Sequence, residues 1–251
     1  MNVLTQTPDK PAFPDVVWAR PETAHGAGKL LIVGGGGGDL GHVSLLYSQA
    51  EQAGAGTIRL LLPESLRKLT KDLPYIEYGP STPSGSFGQK AFAELQDIAQ
   101  WSDGVLLAGD LGKNSETSLL LGKFIDLYSG LIVFDQRSYE SFAKGWGKLL
   151  NRPAPTVLCI SFDQLRSLAI ELGSTIAVTS EMPLKQYEAV LEFVSTQTNA
   201  IILTPHHGVT WVAQSDNLCQ SKTGEPSSAK TAVWAIQQPH KLYESVVSSL
   251  L

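Results

Sequence analysis

Five glycines in a row, Gly34 to Gly38, separate an apolar run beginning at Leu30 from a segment of helical spacing that opens near Gly41. With no side chains, such a stretch serves either a sharp bend or a close approach to the main chain. A strand, a glycine turn and a helix start in succession turn backbone N–H groups and the positive helix end toward an anionic or polar ligand. The same spacing suits a plain turn that lets helix and sheet come close. No lysine completes a GxxxxGK[ST] pattern, and a GxGxxG match is nearly automatic within five glycines. Asp39 stands where it would cap the helix or touch a ligand.

The rest of the chain alternates short apolar runs with helical periods, which predicts an α/β fold: a central, mostly parallel sheet with helices on both faces. Strands are expected at Leu30 to Gly34, Thr57 to Leu62, Gly104 to Ala108, Leu131 to Asp135, Thr156 to Cys159 and Ala200 to Thr204. Helices are expected at Leu40 to Ala53, Gln89 to Trp101, Ser115 to Tyr128, Phe162 to Leu172 and Leu184 to Thr196, with a short one starting at Pro63. GPSTPSGSFG after Tyr78 reads as a surface loop, and VTWVAQSDNLCQ as a hairpin at the sheet edge near the C-terminus. The proline-bearing residues 1–24 read as a loosely held arm before a single domain, 25–251.

A net charge of −5 gives no basic field for nucleic acid, and no apolar run reaches the roughly 18 to 20 residues that cross a bilayer. The opening residues lack the layout of a secretory signal, so a cytoplasmic product is expected. Cys159 and Cys219, far apart and outside any metal-type spacing, read as buried reduced thiols. The α/β-hydrolase elbow GxSxG is absent. Asp103 and Asp110 flank one strand, ~23 Å apart, and cannot share a substrate.

Four blocks in order carry a resemblance: GGGGGDLGH from Gly34, QAGAGTIRLLLPESL from Gln52, AGDLGKNSET from Ala108 and LIVFDQRS from Leu131. Together, over about His25 to Leu172, they resemble the NAD(P)H-hydrate dehydratase family, relatives of the ribokinase-like sugar and vitamin kinases. Gly41 matches a motif glycine, His42 stands where alanine is usual, and Asp110 replaces a glycine. The resemblance implies a ribokinase-like fold and a repair reaction. ADP or ATP, with Mg2+, phosphorylates the hydroxyl of hydrated NADH or NADPH, and phosphate is then eliminated. It also implies a ligand site at Gly36, Gly37, Gly38, Asp39, Gly41, His42, Asp110, Gly112 and Asp135, with Asp135 the remaining catalytic candidate. Self-association is implied because relatives do it.

The chain departs from the family where catalysis is concentrated. KTGEPSSAKTAVWAIQQP lacks the Gly-x-Gly-Asp turn that carries the family's base, and the stretch after Lys230 is shorter than the family's pair of closing helices. Ser161 and Gln164 stand at the places of a substrate-contacting His and Glu. Asp110 puts a negative charge beside the phosphate site, a repulsion of about 1 kcal/mol at ~4 Å in water. On the nucleotide side Thr204, His206, His207, Thr223 and Gly224 remain candidates, the two histidines expected on opposite faces of an extended segment. His25 reads as a loop anchor or a functional residue, and His240 as a surface residue. The departures set two alternatives beside a dehydratase: a non-catalytic nucleotide-binding or scaffold descendant, and a small-molecule kinase of the same superfamily.

Overall fold

The computed structural model of the chain describes residues 3–70, 74–142, 149–222 and 226–251. Its strands are β1 (Val3–Gln6), β2 (Lys29–Gly34), β3 (Thr57–Pro63), β4 (Ile76–Gly79), β5 (Gly104–Ala108), β6 (Leu131–Phe134), β7 (Thr156–Cys159), β8 (Ile201–His206), β9 (Val209–Gln214) and β10 (Asn217–Ser221). They form one sheet in the order β1-β10-β9-β8-β7-β6-β5-β2-β3-β4. All neighbours from β8 to β4 are parallel, β8-β9 and β9-β10 are antiparallel, and β1 lies parallel to β10.

The helices are α1 (Pro14–Trp18), α2 (Leu40–Gln52), α3 (Arg67–Thr70), α4 (Phe92–Trp101), α5 (Ser115–Leu127), α6 (Phe162–Glu171), α7 (Leu184–Thr196), α8 (Ser228–Gln237) and α9 (Leu242–Ser248). Alternate strand residues feed two cores. Leu31, Val105, Leu107 and Ile132 pack under α4 to α7, while Leu30, Ile32, Leu106 and Val133 pack under α2, α8 and α9. Burial on both faces is why these strands read as continuous apolar runs. Each such leucine or isoleucine contributes about 1.5–3 kcal/mol. Cys159 and Cys219 are buried free thiols. No helix among the described residues is long and apolar enough to cross a membrane.

Four expectations change. The expected loose arm supplies β1, which covers β10, so the β9–β10 hairpin lies one strand in from the edge. Gln6 there is fully buried and its Nε2 donates to the Val247 carbonyl at 2.8 Å. The stretch after Lys230 does complete a closing pair, α8 and α9, because their helices are short and joined by a single turn at Pro239–Lys241. Pro63 ends β3, and the helical turn starts at Glu64. His206 and His207 do not diverge: His207 and Gly208 take φ of 49° and 72°, making a two-residue hairpin between β8 and β9. That turn folds the two rings together, with centroids 4.0 Å apart.

Candidate functional site

Chain order reverses between β2 and β5: strands β3 and β4 continue on one side, and β6, β7 and β8 on the other. In an open parallel sheet the connections leaving the C-terminal ends at such a switch diverge, and the gap between them is the usual ligand crevice. Here those connections are Gly34–Gly38 after β2 and the loop from Gly109 after β5. The glycines are needed for two distinct reasons. A Cβ on Gly34 would stand 2.5 Å from the Ala108 carbonyl oxygen, and one on Gly36 2.5 Å from the Leu111 carbonyl carbon. Gly35, Gly37 and Gly38 take φ of 84°, 62° and 88°, which L side chains resist. Gly41, by contrast, has open space around its Cα.

The loops floor a cavity of about 420 Å³ lined by Gly36, Gly37, Asp39, Asp110, Gln136, Arg137 and Gln164. Asp39 does not cap α2. Its Oδ2 instead accepts from Asp110 N at 3.4 Å, and its Oδ1 lies 3.6 Å from Arg137 Nη1. Asp110 Oδ1 accepts from Gly112 N at 2.7 Å. Its Oδ2 stands 3.8 Å from where a Gly37 Cβ would be. The first turn of α2 therefore keeps its N–H groups free of any side-chain cap, beside one cation and two carboxylates.

A second cavity of about 340 Å³ adjoins the first through Gln136 and Arg137. Its apolar wall is Leu45, Leu46, Ile160, Leu203 and Pro205, and its polar groups include His42, Gln49, Asp135 and Ser227. Asp135 follows β6 directly and is 6% exposed. Its Oδ1 accepts from His42 Nε2 at 2.8 Å, Arg137 N at 3.1 Å and Gly109 N at 3.3 Å; its Oδ2 accepts from Ser228 Oγ at 2.8 Å. Burial pushes its pKa up, but His42, Ser228 and the Arg137 amide outweigh that and hold it below the usual carboxylate value. Asp135 is thus a saturated carboxylate that ties α2, the β5 loop, the segment after β6 and α8 together.

The structure brings Gly36, Gly37, Asp39 and Asp110 into one cavity and His42 and Asp135 into the next. Gly38 and Gly41 stay outside both linings. Gly112 lies behind the floor, where a Cβ would strike Ser86 at 2.5 Å. Thr204 is fully buried, while its neighbours Leu203 and Pro205 line the second cavity. His206 packs against both Phe162 and Tyr187, ring centroids 4.7 and 4.3 Å away, and His207 Nε2 bonds the Ser180 carbonyl at 2.7 Å. Thr223 and Gly224 lie outside the described residues. His25 and His240 are exposed.

Ser161 and Gln164 form a reciprocal capping box on α6, with bonds of 3.2 and 2.9 Å, and Gln164 Nε2 also reaches the Gln136 carbonyl. Gln136, Arg137, Ser227 and Ser228 were not singled out from the sequence. The first two follow a parallel strand's C-terminal end, which is a usable signal once the strand is placed. Among the described residues no group of three His, Cys, Asp or Glu is placed to hold a metal ion.

No protein-family model matches the chain, and no curated protein matches its sequence. Solved structures do match its shape. A ribokinase-like superfamily protein from Enterococcus faecalis superposes with a TM-score of 0.67 at 14% identity, covering 99% of this chain and 87% of that one. The ADP/ATP-dependent NAD(P)H-hydrate dehydratase of Bacillus subtilis, co-crystallised with ATP/Mg2+, gives 0.66 at 15% identity, covering 99% and 86%. Bacillus subtilis pyridoxal kinase, as an ADP complex, gives 0.56 at 13%, covering 88% of each chain. The sheet order, the switch-point crevice and these superpositions define an open α/β protein whose cavity-lining loops lie at the C-terminal ends of its strands. Its fold is ribokinase-like.

Proposed function

We propose that the chain binds an ADP- or ATP-like nucleotide over the Gly36–Gly41 floor, with hydrated NADH or NADPH as the second, hydroxyl-bearing ligand. This is the NAD(P)H-hydrate dehydratase-like reading. One observation carries it: the side-chain-free loop at Gly36 and Gly37 opens onto a cavity at the β2/β5 switch, just ahead of a helix, α2, whose first turn has no side-chain cap. Main-chain N–H groups at a helix N-terminus suit phosphate oxygens, and Arg137 supplies a cation at the rim. The adjoining cavity, apolar on one wall and polar on the other, suits a ring-bearing partner.

Mg2+ takes one or two carboxylates and completes its shell with phosphate oxygens and water. Asp110 fits that role, since its Oδ2 has no partner among the described residues and stands over Gly37. The ion would supply charge neutralisation between the phosphates and this carboxylate.

A non-catalytic binding descendant is a second reading. It is favoured by the start of α8, where Ser227 caps the helix and the Ser228 hydroxyl is spent on Asp135, so those positions offer no carboxylate. Thermal shift with ADP, ATP, NADH and NADPH tests the shared claim. A ligand at 100 times its Kd adds about 2.7 kcal/mol of stability. No shift with any of the four would remove the nucleotide site. Restored nicotinamide absorbance from hydrated NADH plus nucleotide would separate the dehydratase from the binder.

A further inference from the structure

Three of the four donors to Asp135 are unambiguous: two main-chain N–H groups and the Ser228 hydroxyl. Asp135 is therefore an acceptor on both oxygens, and the proton in its 2.8 Å bond to His42 belongs to Nε2. That choice of tautomer leaves a lone pair on Nδ1. The Cδ2 edge of the ring faces Gly109, 3.3 Å from where a Cβ there would stand, so the Nδ1–Cε1 edge turns the other way. His42 lines the second cavity, and Nδ1 has no partner among the described residues.

We propose that His42 is the general base for phosphoryl transfer to a hydroxyl-bearing small molecule seated in the second cavity, with Asp135 as its positioning residue. This rests on the reading that the glycine floor holds a nucleoside triphosphate. The two cavities share Gln136 and Arg137, with the glycine floor in the first and His42 in the second, which puts donor and acceptor on either side of that junction. The acceptor hydroxyl gives its proton to Nδ1 as its oxygen bonds the terminal phosphorus. The bridging P–O bond breaks, its electrons leave with the nucleoside diphosphate, and the imidazolium returns the proton to solvent. Ionised Asp135 stabilises that imidazolium while it lasts. The base proposed here sits on α2 and not at the start of α8.

Two measurements test this. In wild-type protein labelled with 15N-histidine at pH 8, His42 is expected to show a pyridine-type Nδ1 and a protonated Nε2; the reverse tautomer would overturn the assignment whatever the variants do. With MgATP and either hydrated NADH or pyridoxal as acceptor, His42→Gln is expected to slow ADP formation ~10²-fold or more. Its ADP affinity should stay within about threefold of wild type. Wild-type protein that binds ADP yet transfers to neither acceptor, or a variant that transfers as fast as wild type, overturns the base while leaving the nucleotide site standing. Failure of wild type to bind ADP overturns both.

Discussion

Asp135 and His206 sit at the C-terminal ends of two parallel strands, β6 and β8, and both are nearly buried. They meet the cost of burial in opposite ways. Asp135 keeps its charge because four donors surround it. His206 has two aromatic rings, Phe162 and Tyr187, packed against it and a buried Nε2 with no hydrogen-bond partner among the described residues. Burial, and then His207 beside it, lower its pKa, while Glu181 works against them. A buried polar group is stable either with its partners supplied or with its charge given up. The first arrangement fastens segments together, and the second is packing by a ring that happens to carry nitrogen.

The difference can be broken most directly at Asp135. Asp135→Ala leaves four donors unpaired and should cost about 3–5 kcal/mol in urea unfolding. A loss below about 1 kcal/mol would show that water replaces the carboxylate and that it fastens nothing. Ser228→Ala removes one donor of four, and about 1.5 kcal/mol is expected from the same measurement. His206→Phe keeps the stack and deletes the bare nitrogen, so stability should hold or rise by up to about 1 kcal/mol; a clear loss would reveal a hidden partner for Nε2.

Acid sharpens the contrast further. His206 has a folded-state pKa below its unfolded value of about 6.5, so the unfolded chain takes the proton first. Stability is then full above about pH 6.5 and declines as pH falls beneath it. His206→Phe should flatten that decline between pH 7 and 5. The Asp135 contribution is present above the unfolded carboxylate value of about 3.9 and is lost only as pH falls through the lower folded value. Thermal melts of both variants across pH 3 to 8 would separate the two windows.

Much of the scaffold was legible because its strands and helices carry strong local signals. Gly104–Ala108 and Thr156–Cys159 fall at the expected bounds, as does the helix Leu184–Thr196. β1 was not legible: VLTQ is short and gains its meaning from β10, more than two hundred positions away. α8 was hidden for another reason. Ser228 to Ile236 are buried all round except Lys230, so no apolar stripe of helical period marks the segment. At the site, the glycine floor and Asp135 could be read from the chain. Arg137 and Ser228 could not, because their roles depend on which strands lie side by side. The spacing of Ser161 and Gln164 is that of a capping box, a local signal independent of any family motif.

The bond from Gln6 to Val247, 241 positions apart, has a consequence for how the chain is made. During synthesis Val3–Gln6 is made more than two hundred residues ahead of its strand partner Asn217–Ser221. Pairing of β1 with β10 therefore waits for the whole stretch between them, and until it forms both strands carry an unpaired border.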